Sequence, residues 1–284
     1  MTTIYPWVIQ LGPLRVTGFG IMMMAAFWIG GWLIGLELRR KRWHEDYAAD
    51  IVVAAVVGGV IGAKLWYLVL TGDPATILSR SGLVWYGGFL GGVLAVLFIT
   101  WRRRVPVRAT MHLVAPALAA AYALGRIGCF VVGDDYGRPT DFPVGVKFPE
   151  GIPPSTAGNI QGLFHLDVPN TAPSTVLAVH PTQLYEVAAM VIVFMILWRW
   201  RLAAKPTGWL FGAYLIFAGV ERFLVEFLRA KDDRFLGAFT VAQLTSLLVA
   251  VAGAIVLTTV LRAEEIDPGD YLRGVPARAP AGAR

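Results

Sequence analysis

The sequence predicts an all-α integral membrane protein: seven transmembrane helices carrying a small external head with short β pieces. Three observations predict it. The 284 residues are 56% hydrophobic and only 15% charged, whereas soluble domains carry roughly 25% charged residues. Mean hydropathy is +0.61. Seven apolar runs, near 17–37, 51–70, 83–101, 111–133, 180–200, 208–229 and 238–262, each approach the roughly 20 residues that cross a bilayer.

The basic residues give the runs a direction. LRRKRWHED, after the first run, holds four Lys/Arg; WRRRVPVR, after the third, also holds four; RWRLAAK, after the fifth, holds three. TGDPATILSRSG holds one, and residues 134–179 hold two, Arg138 and Lys147. RAKDDR breaks the pattern with three, beside two aspartates. The positive-inside rule puts the first, third and fifth connections in the cytoplasm, the N-terminus outside and the C-terminus inside. This topology accounts for the net charge of +6 and argues against a nucleic-acid partner. The opening MTTIYPWVIQLGPLR has no basic n-region and no small-residue cleavage site, so the first span is expected to do the targeting.

The same reading divides the chain. Residues 1–133 hold spans one to four, 134–179 the head loop, and 180–262 spans five to seven. Residues 263–284, rich in Pro, Ala and Arg, are expected to be a disordered cytoplasmic tail. The head loop, with seven prolines and five glycines, is too long for a bare connection. Its strand-like pieces are VGVKF, LFHLDV and TVLAV. Cys129 is the only cysteine, so no intrachain disulfide can form. With four scattered histidines, the chain displays no ligand set for a metal and no cofactor site.

Charges inside spanning helices are costly and mark function by default. Here they are Lys64, Arg126, Glu186, Glu221, Arg222 and Glu226. At 1.5 Å rise per residue the topology places all of them in the outer half of the bilayer, with Tyr86 at the outer end of the third span. His180, Gln183 and Glu186 fill the first two turns of the fifth span, which Pro181 starts. Arg222, Glu226 and Arg229 share one helix face at i, i+4, i+7. Arg222 and Glu226 can pair on that face, a structural staple that needs no ligand. Arg126 has no carboxylate within a turn on its own helix, so an anionic ligand is expected to complete the balance. The planar donor fork of arginine suits phosphate, and a phosphate reached from the outer leaflet is most simply a phospholipid headgroup. WYGGFLGG, residues 85–92, reads either as close helix packing or as room for an acyl chain or headgroup beside Tyr86.

GRIG…GDDYGRP at 125–139, HPTQLYE at 180–186, ERFLVEFLR at 221–229, AQLTS at 242–246 and LGPLRVTGFGIM in the first span together resemble the prolipoprotein diacylglyceryl transferases. The resemblance covers about residues 8–260. It implies a bacterial inner-membrane, multi-pass enzyme of seven helices with a periplasmic head. It also implies the reaction: the diacylglyceryl group of phosphatidylglycerol passes to the lipobox cysteine thiol of a preprolipoprotein, a thioether forms and glycerol phosphate leaves. Arg126, Gly137, Arg222 and Glu226 match signature positions of the family. Where the family often carries histidine, asparagine, glutamate and tyrosine, this chain carries Tyr86, Cys129, Asp134 and Phe19.

On this reading Arg126 and Arg222 bind the phosphate and stabilise the leaving group. Glu226 orients Arg222, and Gly137, Gln183 and Glu186 line the substrate site. The base that takes the thiol proton stays open between Tyr86, His180 and Asp134, with the leaving phosphate as a late acceptor. Two other readings stay open: a catalytically altered homologue that binds lipid or lipoprotein, and a transporter of an anionic solute.

Overall fold

The computed structural model describes residues 2–12, 14–73, 83–230, 234–236, 239–261 and 267–274. Every apolar run is a helix. The helices are α1 (Gly18–Arg40), α2 (Asp46–Thr71), α3 (Trp85–Arg102), α4 (Val107–Val132), the short α5 (Ala157–Phe164), α6 (Thr182–Trp200), α7 (Trp209–Val225) and α8 (Val241–Leu261). Six of them, all but α5 and α7, are long and apolar enough to cross a membrane. The chain is a mostly helical, multi-pass membrane protein.

Helix α4 is the centre of the bundle, packed against α1, α6 and α7. Its alanines explain this: Ala115, Ala117, Ala119 and Ala123 are buried, and small side chains let neighbouring helices come close. Helices α2 and α3 form a separate tight pair. A Cβ on Gly62 would collide with the Gly87 carbonyl and stand 2.8 Å from Gly91 Cα. The glycines of 85–92 therefore serve close helix packing, the first of the two readings. Helix α3 meets α4 only marginally, leaving one face of Leu94, Phe98 and Trp101 exposed.

The basic end of the bundle is more polar inside than expected. Glu37, a buried charge absent from the sequence reading, pairs with Arg40 at 2.5 Å and Arg201 at 3.1 Å. Tyr47, fully buried, bonds Thr110 at 2.6 Å and Thr100 at 3.0 Å. Buried polar groups are thus not confined to the half that holds Arg126. The tail expectation also needs correction where residues are described. Leu272 is fully buried in the core of α1, α2 and α4, and its carbonyl accepts from the His44 N–H at 2.9 Å. Tyr271 donates to Asp50 at 2.8 Å. A buried leucine and two tethers hold 267–274 in place. Residues 262–266 and 275–284 lie outside the described residues, as do 74–82 of the second connection and 231–233 of RAKDDR.

The strands lie outside the bundle. In chain order they are β1 (Thr2–Thr3), β2 (Val8–Leu11), β3 (Leu14–Thr17), β4 (Val146–Lys147), β5 (Ala178–Val179), β6 (Arg234–Leu236) and β7 (Phe239–Thr240). β2 and β3 form a hairpin just before α1, unforeseen in the sequence. Within 134–179, VGVKF and TVLAV do carry strands, β4 and β5, paired antiparallel. LFHLDV does not: it ends α5, and His165 turns the chain at φ +57°. β1 joins β4 in parallel, so the chain start is part of this small sheet. Tyr136, Phe148, Ile160 and Val179 form its core.

Gly62→Leu should lower the unfolding free energy by more than about 2 kcal/mol, because overpacking here meets backbone. Gly30→Ala, with nothing within 4 Å of the new Cβ, should be near neutral. Thermal unfolding of the purified protein in detergent compares them.

Candidate active site

The site is built where α4 ends, α6 begins and α7 runs out. Gly133 ends α4 in the left-handed region at φ +69°, which glycine adopts without penalty. Its N–H reaches the Phe130 carbonyl and the Asp134 N–H reaches Cys129, the paired bonds of a Schellman cap. This turn throws Asp134 and Asp135 back over the helix end. Asp135 has φ +56°, a conformation that costs a non-glycine residue of order 1–2 kcal/mol. Tertiary contacts hold it there. Thr182 donates to its carbonyl at 3.0 Å, and Arg126 and Arg229 bind its two carboxylate oxygens at 2.9 and 2.7 Å.

Arg126 projects from the last turns of α4 and is largely buried. Besides Asp135 it pairs with Glu186 of α6, which is fully buried. Tyr122, one turn back, donates to Glu186 at 2.8 Å and accepts from Arg126 at 3.3 Å. Arg126 has no carboxylate within a turn on its own helix, but Asp135 and Glu186 of the protein itself balance its charge, so no ligand is needed for that. Its partners come from the following turn and another helix, separations that a search within one helix cannot see.

On α7, Arg222 meets Glu226 at 2.5 Å, the i, i+4 pair foreseen. Glu226 also accepts from Thr240 at 3.1 Å, which links α7 to the start of α8. Helix α7 tightens into one 3₁₀ turn at Glu226–Leu228, after which Arg229 is extended. Arg138 N–H then bonds the Leu228 carbonyl at 2.8 Å. Three guanidiniums, Arg126, Arg222 and Arg229, thus stand among five carboxyl groups: Asp134, Asp135, Glu186, Glu221 and Glu226. The site is rich in acid, not short of it.

The other sequence candidates fall into different places. Gln183 is fully buried and gives its amide N–H to the Asp134 carbonyl at 2.5 Å; it supports the turn. Gly137 sits where three segments converge: a Cβ would lie 2.5 Å from the Leu228 carbonyl and 2.7 Å from His180 Cβ. Its contacts serve close packing. His180 bonds Tyr185 through Nδ1 at 3.1 Å and leans on Phe142. Burial lowers its pKa, and its ring contacts none of the three arginines. Tyr86 is 61% exposed and packs edge-on against Trp85. Helix α3 faces α2, so the structure does not bring Tyr86 to the cluster.

Asp134 is different. Burial pushes its carboxyl up to about 6; the hydrogen bond from the Cys129 thiol pulls the other way, and neighbouring Asp135 adds to the rise. Burial would raise Asp135 too, but Arg229 and Arg126 hold it well below the usual carboxylate range. Cys129, Asp134 and Asp135 place ligand atoms within 4.8 Å of one another, the one such group among the described residues. Two guanidiniums already occupy Asp135, which leaves too few donors for a typical four-ligand metal site. Arg229, Asp135 and Tyr122 are the members that sequence reasoning left without a role. The aspartate doublet and the i+7 spacing of Arg229 were the visible signals.

A family model described as prolipoprotein diacylglyceryl transferase matches residues 6–259. A Clostridium tetani protein named phosphatidylglycerol–prolipoprotein diacylglyceryl transferase is 30% identical over 260 residues, covering 88% of this chain and 96% of its own length. A Cupriavidus metallidurans protein of the same name is 33% identical over 277 residues, covering 90% and 93%.

The raised Asp134 pKa predicts a pH effect. A free aspartate titrates near about 3.9, so between roughly pH 4 and 6 the folded state holds this proton more firmly than the unfolded chain. The stability tied to it is complete below about pH 4 and is lost as pH rises through 6. Against Asp134→Asn, the wild type should lose of order 1–2 kcal/mol over that window, after discounting for partial exposure. Unfolding curves that stay parallel from pH 4 to 7 would count against it.

Proposed function

Because the chain belongs to the prolipoprotein diacylglyceryl transferase family, we propose that the arginine–carboxylate cluster carries that reaction here. The sulfur of a lipobox cysteine attacks the glyceryl carbon of phosphatidylglycerol that bears the phosphate. The C–O bond breaks, its electron pair leaves on the phosphate oxygen, and glycerol phosphate departs as the thioether forms. The thiol proton passes to a base or to the leaving phosphate.

One observation carries this reading. Arg222 keeps a quarter of its side chain exposed and meets only Glu226 among the described residues, so most of its donors stay open to a phosphate. Arg126, locked by Glu186, Asp135 and Tyr122, supplies a fixed positive charge from α4, which packs against α7. Preorganised donors of this kind stabilise charge that develops on a leaving group. Of the three candidate bases, the contacts favour Asp134. Its carboxyl lies within 4.8 Å of the Cys129 thiol, and its pKa near 6 suits proton uptake at neutral pH. Cys129 and Phe19 leave the arginine framework intact.

The membrane arrangement belongs to the same proposal. Helix α7, 17 residues long, packs along α8 and serves as a seventh span. The head of 134–179 is then periplasmic. The basic end with Arg40, Lys41 and Arg201 faces the cytoplasm of a bacterial inner membrane, and the partners are phosphatidylglycerol, surrounding membrane lipids and preprolipoprotein signal peptides.

Purified protein incubated with phosphatidylglycerol and a lipobox peptide should add a diacylglyceryl mass to the peptide. Arg222→Ala should cut the rate at least about 100-fold, a loss larger than the destabilisation from stranding the buried Glu226 explains. Arg126→Ala should also abolish transfer, and should destabilise because it strands Glu186. Undiminished transfer by Arg222→Ala removes the phosphate role. Lipid binding without any mass gain supports the silent homologue instead.

A further inference from the structure

At the basic end of the bundle, α3 and α4 are joined by a turn with three consecutive arginines. The middle one is used within the fold: Arg103 pairs with Asp50 at 2.9 Å and stacks over Tyr271 at 4.7 Å. The flanking two are not. Arg102 and Arg104 are exposed and meet no carboxylate among the described residues. Both line a cavity of about 670 Å³ with Trp101, Val105, Pro106 and Val107.

Two further features shape this cavity. Arg104 lies in the left-handed region at φ +54°, a position that glycine would fill without strain. Its carbonyl is crowded by Gly269, where a Cβ would come within 2.9 Å, so the C-terminal segment backs the turn. The cavity also opens beside the exposed face of α3, where Leu94, Phe98 and Trp101 are uncovered. Cationic groups thus sit directly at the end of an apolar strip. The start of α4, with no side-chain cap and no acidic residue in its first turn, adds partial positive charge at the same place.

We infer that this cavity is a binding site for the headgroup phosphate of an anionic phospholipid, with the acyl chains lying along the exposed face of α3. A two-part ligand fits a two-part surface: phosphate on Arg102 and Arg104, hydrocarbon on Leu94 and Phe98, with the Trp101 ring at the boundary where such rings settle. The site lies at the end of the bundle opposite Arg126. It rests on the membrane-spanning reading alone and stands or falls independently of the transfer reaction.

The test uses the full-length protein in detergent with photoactivatable analogues of phosphatidic acid and phosphatidylcholine, and maps the labelled peptides by mass spectrometry. The acidic analogue should label residues 94–107 preferentially, at about fivefold per arginine engaged. Arg102→Gln/Arg104→Gln should lose that preference, and Arg102→Lys/Arg104→Lys should keep most of it. Both variants should retain wild-type stability and diacylglyceryl transfer, which separates this site from the catalytic one. Equal labelling by both analogues overturns the inference. So does unchanged labelling of the glutamine variant, or full competition by inorganic phosphate, which marks a free-anion site.

Discussion

Arg126 cannot be buried without Glu186 and Asp135. A guanidinium in an apolar bundle pays a desolvation penalty that only close, hydrogen-bonded carboxylates offset, and removing one partner of such a pair costs about 3–5 kcal/mol. Much of the surrounding architecture follows from meeting that demand. Glu186 comes from α6, so the start of α6 must lie against the end of α4. Asp135 comes from the turn after α4, so the helix must stop at Gly133 and fold back. Gln183 and Thr182 hold the carbonyls of that turn, and Gly137 lets Leu228, His180 and Thr182 crowd around the chain that leaves it. Arg229 closes the circuit by binding the second oxygen of Asp135. Three segments distant in sequence are fixed by one ionic chain.

That chain defines what kind of site this is. Five carboxyls around three guanidiniums hold most of the positive charge in internal pairs. Arg222 is paired with Glu226 alone, and it is the most exposed of the three arginines. A rigid, fully paired arginine beside a partly open one separates two tasks: one fixes the shape and field of the site, the other remains able to receive a ligand.

The helices were legible because lipid leaves the backbone no alternative. Each stretch of about 20 apolar residues must bond its own amides, so hydropathy alone outlines α1 to α4 and α6 to α8. The motif residues also share one region of the fold: Arg126, Glu186, Arg222, Glu226 and Asp134 converge. Their partnerships were not legible. Arg126 and Glu186 are 60 positions apart, and no periodicity within a helix links them. Tyr86 looked eligible because it shares a bilayer depth with Arg126, but depth says nothing about which side of a helix faces the bundle. The glycines around it decide that, turning α3 toward α2. The contacts of Gln183 and Gly137 within the protein were not legible either, since polar or small residues beside a site serve backbone geometry as readily as a substrate. Leu272 was hidden because one buried leucine in a Pro- and Arg-rich end leaves no pattern.

Asp135 has a consequence for how this protein can change over time. Its backbone angle favours glycine, while its carboxylate must bridge two arginines. Glycine would relieve the backbone and strand both guanidiniums; glutamate would keep the charge but fits the left-handed region poorly and reaches too far. Asparagine tolerates the angle yet gives up the charge. No substitution satisfies both demands, so this position has almost no neutral neighbours in sequence space. Drift in the chain must flow around it.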